Sequence, residues 1–212
     1  MLEELGRRWT FRTEILPKMT LRGLTVSSSQ IRHLLEAGRV SLANRLLGHP
    51  FYVRGPIVPG LGIGKTQTVP TFNLGTCPGL IPAEGVYITL ARIGQDADQT
   101  GSNTKRSFGQ CLRSVTNVGR RPTFGERELG IETHLLEAWR EDTSPNVLDI
   151  GFLHRLRAER KFDSPEQLKG QILRDAQRAR RYFDRLEAAG IALARVFARG
   201  PSVDFDPFRF SV

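Results

Sequence analysis

Cysteine is nearly absent from this 212-residue chain, with only Cys77 and Cys111 present. The two lie far apart and form no C-x-x-C pair, so neither a disulfide framework nor a zinc knuckle is available to brace the fold. Both are expected as small buried hydrophobes. No apolar run approaches the roughly 20 residues that a spanning helix needs. The first residues, with Glu3, Glu4, Arg7 and Arg8 close to Met1, lack the apolar centre of a signal peptide, so a cytoplasmic protein with no membrane partner is expected. Histidine is scarce as well: His33, His49, His134 and His154 show no metal-ligand spacing, which argues against a histidine zinc site. Acidic residues are in deficit, 22 Asp and Glu against 31 Lys and Arg, for a formal net charge of +9. That surplus favours any polyanion, nucleotide or nucleic acid alike. Many of the arginines fall in the C-terminal third among acids, the pattern of a solvated helix face.

What remains is long enough for one domain, or one and a fraction, with a sizeable core. Residues 1–26 are mixed, with Trp9 to Arg12 and Ile15-Leu16 as weak strand candidates. Ser27-Ser28-Ser29-Gln30 has the form of a capping box, and Ile31, Leu34 and Leu35 follow at helical spacing until Gly38. A second short helix is expected from about Ser41 to Leu47, stopped by Gly48. From Phe51 the pattern changes to short β-type runs: Phe51 to Val53, Ile57-Val58, Val69 to Leu74, Gly85 to Ile93, Gln110 to Val118, Ile131 to Leu136 and Val147 to Leu153. About six strands at that spacing suggest a mainly β fold, a closed or split antiparallel barrel. Gly94 to Ser107 reads as an exposed, mobile hairpin loop. Ser164-Pro165-Glu166-Gln167 is a second capping box and opens the longest helix, about Pro165 to Ala189. Its stripe of Leu168, Ile172, Ala176, Ala179, Phe183 and Leu186 should lie across the barrel.

The chemistry concentrates between Gly60 and Asn73. Gly60, Gly62 and Gly64 leave backbone N–H groups free to approach an anion, and Lys65 adds a point charge. A Walker A loop is excluded because Pro59 stands where its first glycine belongs, and because Thr66, Thr68, Val69 and Pro70 oppose a helix after the lysine. A G-x-G-x-x-G loop fails at Lys65. Two readings remain: a phosphate-binding loop that runs into a strand, or an ordinary glycine-rich turn with a basic tip. Along a strand Thr71 and Asn73 point to one face, about 6–7 Å apart, close enough to serve one Mg²⁺ and its phosphate ligands. A second Pro-Thr-Phe at Pro122 follows Asn117 to Arg121 and reads as a wall of the site. Glu132 is the candidate base, in apolar surroundings that would raise a carboxylate's pKa, and His134 shares its face. The alternative is that both stand exposed on a barrel exterior. Arg155, Arg157, Glu159, Arg160, Lys161 and Phe162 form either a solvated connection or a rim that grips an aromatic or phosphorylated ligand.

Taken in order, Gly-x-Gly-x-Gly-Lys with Pro70-Thr71-Phe72-Asn73, Gly85-Val86-Tyr87, Asn117-Val118-Gly119, Glu132-Thr133-His134, Phe152 to Arg157 and Lys161-Phe162 closely resemble the riboflavin kinase module of bacterial bifunctional riboflavin kinase/FAD synthetases, over about residues 48–185. Phe72 stands where alanine is common in that family, and Thr68-Val69 where Gly-Phe or Gly-Ile is usual. The resemblance implies a six-stranded antiparallel split barrel with a long C-terminal helix and short N-terminal helices. It implies that Thr71 and Asn73 hold Mg²⁺ and ATP phosphates, that the loop of Gly60, Gly62, Gly64 and Lys65 folds over the nucleotide, and that Glu132 activates the riboflavin 5′-hydroxyl. Asn117, Arg157, Arg160 and Phe162 would serve the flavin. Val26 to Arg32 resembles the end of the adenylyltransferase module of the same enzymes, whose H-x-G-H-type motif cannot exist in a chain whose four histidines are never three apart. Residues 1–47 are thus expected as the end of such a module, 48–190 as barrel and helix, and 191–212 as a tail. The activity implied is conversion of riboflavin and ATP to FMN and ADP, without FAD synthesis. Two rivals stand beside it: a flavin-binding barrel without turnover, and a basic barrel that binds nucleic acid. Aromatics scattered over different strand faces argue against the latter.

Overall fold

The computed structural model describes residues 1–14, 16–59, 70–77, 79–95, 107–120, 129–139, 145–191 and 193. The chain opens with α1 (Leu2–Trp9), a two-residue-per-strand ribbon of β1 (Thr20–Leu21) and β2 (Leu24–Thr25), then α2 (Ser28–Glu36) and α3 (Val40–Leu47). Six strands follow, β3 (Phe51–Val58), β4 (Thr71–Leu74), β5 (Gly85–Gln95), β6 (Ser107–Arg120), β7 (Leu129–Leu135) and β8 (Val147–Arg157), and α4 (Pro165–Ala188) completes the order. The strands close into a barrel in the order β3-β4-β7-β6-β5-β8, with every neighbouring pair antiparallel.

Both capping boxes form. The Ser27 hydroxyl accepts from Gln30 N at 3.2 Å and the Ser164 hydroxyl from Gln167 N at 3.3 Å, each satisfying a helix N–H that has no partner within the helix. Gly48 ends α3 at φ 76, a left-handed position that glycine adopts without strain. At the N-terminus the strand candidate Trp9 to Arg12 does not form. Residues 2–9 are helical, with acids in the first turn and arginines in the last, as the helix dipole prefers, and Phe11 and Arg12 lie outside regular structure. Ile15 and the residues of Gly94–Ser107 from 96 to 106 fall outside the described residues, as do 192 and 194–212.

The two runs Phe51–Val53 and Ile57–Val58 turn out to be one strand through Gly55-Pro56. Pro56 fits because its carbonyl accepts from Gly75 N at 2.8 Å on the β4 side. The N–H that proline lacks would face the same side, and there the β3–β4 ladder is only two pairs long, Ile57↔Leu74 and Val58↔Asn73. The seam of the barrel is therefore short and lies beside Asn73.

Alternation sorts each strand into an inner and an outer face. Val53, Phe72, Leu74, Tyr87, Ala91, Leu112, Val118, Ile131, Leu135, Leu148, Ile150 and Phe152 fill the interior, and the cluster continues into Leu34, Leu35, Val40 and Ala43 of α2 and α3, which close one end. Asn44 fastens that end: its Nδ2 donates to Phe152 O and its Oδ1 accepts from Phe51 N, each at 2.7 Å. Four hydroxyls also lie fully buried in the barrel, and they satisfy one another, Thr89 with Ser114 and Thr116 at 2.8 Å and Thr116 with Thr133 at 3.0 Å.

On the outer wall Val86, Ile88, Leu90, Val115 and Leu153 pack beneath Ala179 and Phe183 of α4. The C-terminal half of the expected stripe does cover the barrel. The N-terminal half does not: Leu168 is 39% exposed, while Gln171 and Asp175 are buried in its place. Cys77 and Cys111 are half-buried rather than buried, each packed against a core cluster, and burial pushes the Cys111 thiol up to about 12.

Candidate active site

One register line crosses the outer wall and gathers Asn73, Glu132, Asn117 and Arg157 of the expected site. Asn73 of β4 faces Glu132 of β7, Glu132 faces Asn117 of β6, Asn117 faces Val86 of β5, and Val86 faces Arg157 of β8. Directly opposed side chains in an antiparallel sheet have Cβ atoms about 4.5–5.5 Å apart, so Glu132 is bracketed by two carboxamides. One step along, Thr71 faces His134. The bond from Leu135 N to Pro70 O, 3.1 Å, flanks this pair and marks it as a non-hydrogen-bonded position, where side chains come closest; two residues on, the same holds for Asn73 and Glu132. At the first of these positions Thr71 Oγ1 and His134 Nδ1 are 2.8 Å apart. The imidazole is half-buried, and its desolvation holds its pKa below the ordinary 6.5 despite the opposing pull of Glu132.

Glu132 and His134 do stand on the barrel exterior, yet both are half-buried, as are Thr71 and Asn117, and Asn73 is buried. Gly60, Gly62, Gly64 and Lys65 lie outside the described residues, as do Arg121 to Phe124 with the second Pro-Thr-Phe. The described chain resumes at Pro70, directly before Thr71.

The donor set suits a small hard cation. Thr71 and Asn73 offer neutral oxygens and Glu132 one carboxylate beside them, while no group of three or more His, Cys, Asp or Glu among the described residues could hold a metal alone. Two or three protein oxygens are what Mg²⁺ uses when phosphates and water complete its octahedron. The residues present fit Mg²⁺ carried by a nucleotide, and do not form a cage for a resident ion.

At the other end of the line Arg157 is held firmly. Its Nε and Nη2 each lie 2.9 Å from Asp175 Oδ2, and Nη1 donates to Ala158 O at 3.1 Å. Gln171 Nε2 donates to Asp175 Oδ1 at 2.8 Å, and the Gln171 oxygen accepts from Arg160 and Arg174. The Phe162 ring lies between two guanidiniums, Arg160 at 4.8 Å and Arg157 at 5.7 Å from its centroid. A cleft of about 390 Å³ opens beside it, lined by Arg160, Lys161, Phe162 and Arg174. The connection from β8 to α4 also reaches back toward β6. A Cβ at Gly119 would collide with the Glu159 carboxylate, so the absence of a side chain leaves room for that carboxylate two residues from Asn117.

Sequence reasoning named Arg157, Arg160 and Phe162 but missed the side chains that set them, Asp175 and Gln171. Their signal was present: Gln171, Asp175, Ala179 and Phe183 repeat every four residues and share one helix face, so two polar residues occupy positions that should be core. Polar groups buried on a helix face require partners.

Among the described residues, Glu132 stands between two carboxamides, with neutral oxygen donors at one end of the line and a fixed arginine and aromatic ring at the other, which defines a class: a small closed antiparallel β-barrel with a polar site on its outer wall. The comparisons with known proteins agree and narrow it. The model of the riboflavin kinase (flavokinase) family matches residues 47–183. Bifunctional riboflavin kinase/FMN adenylyltransferases are 33% identical in Bacillus subtilis, over 81% of this chain and 51% of that protein, and 34% identical in Pseudomonas fluorescens, over 84% and 53%. A crystal structure of a macrolide-efflux protein from Streptococcus pneumoniae superposes with a TM-score of 0.67 at 29% identity, over 84% of this chain and 54% of that one. Among the described residues no helix is long and apolar enough to cross a membrane. The chain belongs to the riboflavin kinase family. It spans about half the length of the curated relatives it matches.

Proposed function

We propose that the chain is an ATP:riboflavin 5′-phosphotransferase that produces FMN. The observation that carries this reading is the register line itself, which puts Glu132 next to Asn73 on one side and Asn117 on the other and ends at Arg157. Polyphosphate belongs at the Thr71–Asn73 end, where neutral oxygen donors stand, and the flavin at the Asn117–Arg157 end. Glu132 then lies between donor and acceptor. As the riboflavin 5′-oxygen forms its bond to the γ-phosphorus, the bond from that phosphorus to the ADP oxygen breaks, and the hydroxyl proton passes to the Glu132 carboxylate and from there to solvent. Mg²⁺, when bound with the nucleotide, offsets charge that develops on the phosphates. The carboxamide of Asn117 and the guanidinium of Arg157 orient the acceptor, and Phe162 offers its ring to the flavin side. Most of the acceleration expected of such a site is positioning.

The reading stops at FMN. What supports this limit is that Val26 to Arg32 resembles the end of an adenylyltransferase module, while no two of the four histidines of this sequence are three apart as an H-x-G-H motif needs. The test incubates the pure protein with riboflavin and Mg-ATP and separates the flavins by chromatography. FMN should form with equimolar ADP, and FMN with ATP should not go on to FAD. No FMN over many enzyme equivalents would refute the kinase assignment, and FAD would refute its limit.

A further inference from the structure

The contact between Thr71 and His134 has no part in the reaction as just described, and it bears on how Thr71 can act. Only one proton can lie between Thr71 Oγ1 and His134 Nδ1 at 2.8 Å. If the ring carries it, Nδ1–H donates to the hydroxyl, one oxygen lone pair turns inward, and the hydroxyl proton is free to point outward. If the hydroxyl carries it, the Thr71 proton is tied to the ring and both lone pairs face away from it. These are opposite surfaces for a cation or a phosphate to meet.

Resting on the phosphotransferase reading above, which gives Thr71 to the cation, we propose that His134 is a positioning residue: with its own proton on Nε2, it accepts the Thr71 hydroxyl proton at Nδ1 and keeps the Thr71 oxygen as a pure acceptor facing the nucleotide side. Strand geometry fixes the contact, and the need of a cation for lone pairs selects the tautomer. The pair stands at a non-hydrogen-bonded position with Leu135 N bound to Pro70 O beside it, so neither Cβ can move away without breaking the ladder. The Thr71 side chain is β-branched and has few rotamers on a strand. Its hydroxyl is thus aimed by the backbone, and the ring decides only where its proton goes. A hard cation needs lone pairs and is repelled by an O–H turned toward it. His134 would serve a metal ligand from behind, as outer partners commonly orient ligands.

Two measurements test this. In the metal-free, nucleotide-free protein at pH 8, long-range ¹⁵N–¹H spectra of the His134 ring, assigned by their loss in His134→Asn, should show Nε2 protonated and Nδ1 bare; the reverse tautomer overturns the proposal. Second, calorimetric binding of ADP as a function of Mg²⁺ is compared in His134→Leu and His134→Asn. The leucine removes the acceptor, and should raise the Mg²⁺ needed for half-maximal ADP binding about tenfold, the loss of roughly one hydrogen bond. The asparagine places a carboxamide oxygen near the former Nδ1 and should stay within about threefold of the parent, with riboflavin binding unchanged in both. Equal impairment of the two variants would mean a packing role only, and no impairment in His134→Leu would mean no role; either overturns the proposal. If His134→Leu does not fold, the ring tautomer and the asparagine variant still decide. Absence of FMN formation by the parent protein would instead remove the kinase reading, whatever the tautomer.

Discussion

Asp175→Asn is the most informative single change, because it disturbs the arginine end of the site without touching the carboxylate or the polyphosphate end. Asp175 is 2% exposed, accepts from Arg157 Nε at 2.9 Å and Gln171 Nε2 at 2.8 Å, and has Arg157 Nη2 in ion-pair contact at 2.9 Å. Asparagine keeps the shape but offers one oxygen, so its NH₂ must confront either the guanidinium or the Gln171 amide. Gln171 can relieve this by turning over only if its oxygen leaves Arg160 and Arg174. Breaking a buried ion pair from one side costs about 3–5 kcal/mol. The Arg157 side chain is 18% exposed and so recovers some hydration, and about 2–4 kcal/mol is expected in urea unfolding. With Arg157 and Phe162 no longer fixed, the KM for riboflavin should rise on the order of tenfold, while the KM for ATP stays within about twofold. An unchanged unfolding midpoint together with an unchanged riboflavin KM would refute the reasoning. A rise in the ATP KM alone would show that the two ends have been assigned the wrong way round.

Glu132→Gln should lower kcat by about 10²–10⁴-fold with ADP affinity largely kept, as for loss of a general base; near-normal turnover removes Glu132 from that role. Asn73→Ala should weaken ADP binding only in the presence of Mg²⁺, which calorimetry with and without the ion separates; equal weakening in both would take Asn73 out of the metal site. Acid should destabilise the fold in a definite window. Burial keeps the His134 pKa below 6.5 in the native state; partial desolvation with Arg178 and Arg185 acts in the same direction on His154, but that residue is exposed and water screens much of its share. The unfolded chain therefore takes up these protons first, so the stability is intact above about pH 6.5 and is lost as pH falls below it. Urea midpoints between pH 7.5 and 5 should fall, and fall less in His134→Asn.

The amino-acid sequence by itself determined the elements that depend on local chemistry. Ser27 and Ser164 cap helices because a hydroxyl three residues before a free N–H can reach it in any context. Gly48 ends a helix because its backbone tolerates positive φ. The period of two put Thr71 with Asn73, and Glu132 with His134, on common faces before any fold was assigned. The strand pattern and the resemblance it carried also led to the barrel and to its family. What no periodicity could supply was which strands pair and in what register, since pairing joins residues far apart in sequence and is settled by closure of the whole barrel. Hence Thr71 could be paired with Asn73 from the sequence but not with His134, and Glu132 could be chosen but not set between Asn73 and Asn117. The rotation of α4 was likewise decided by the tertiary structure. Its first half turns toward Arg157 and Arg160, where the buried Gln171 and Asp175 find their partners while Leu168 stays exposed, contacts that no helical period could reveal.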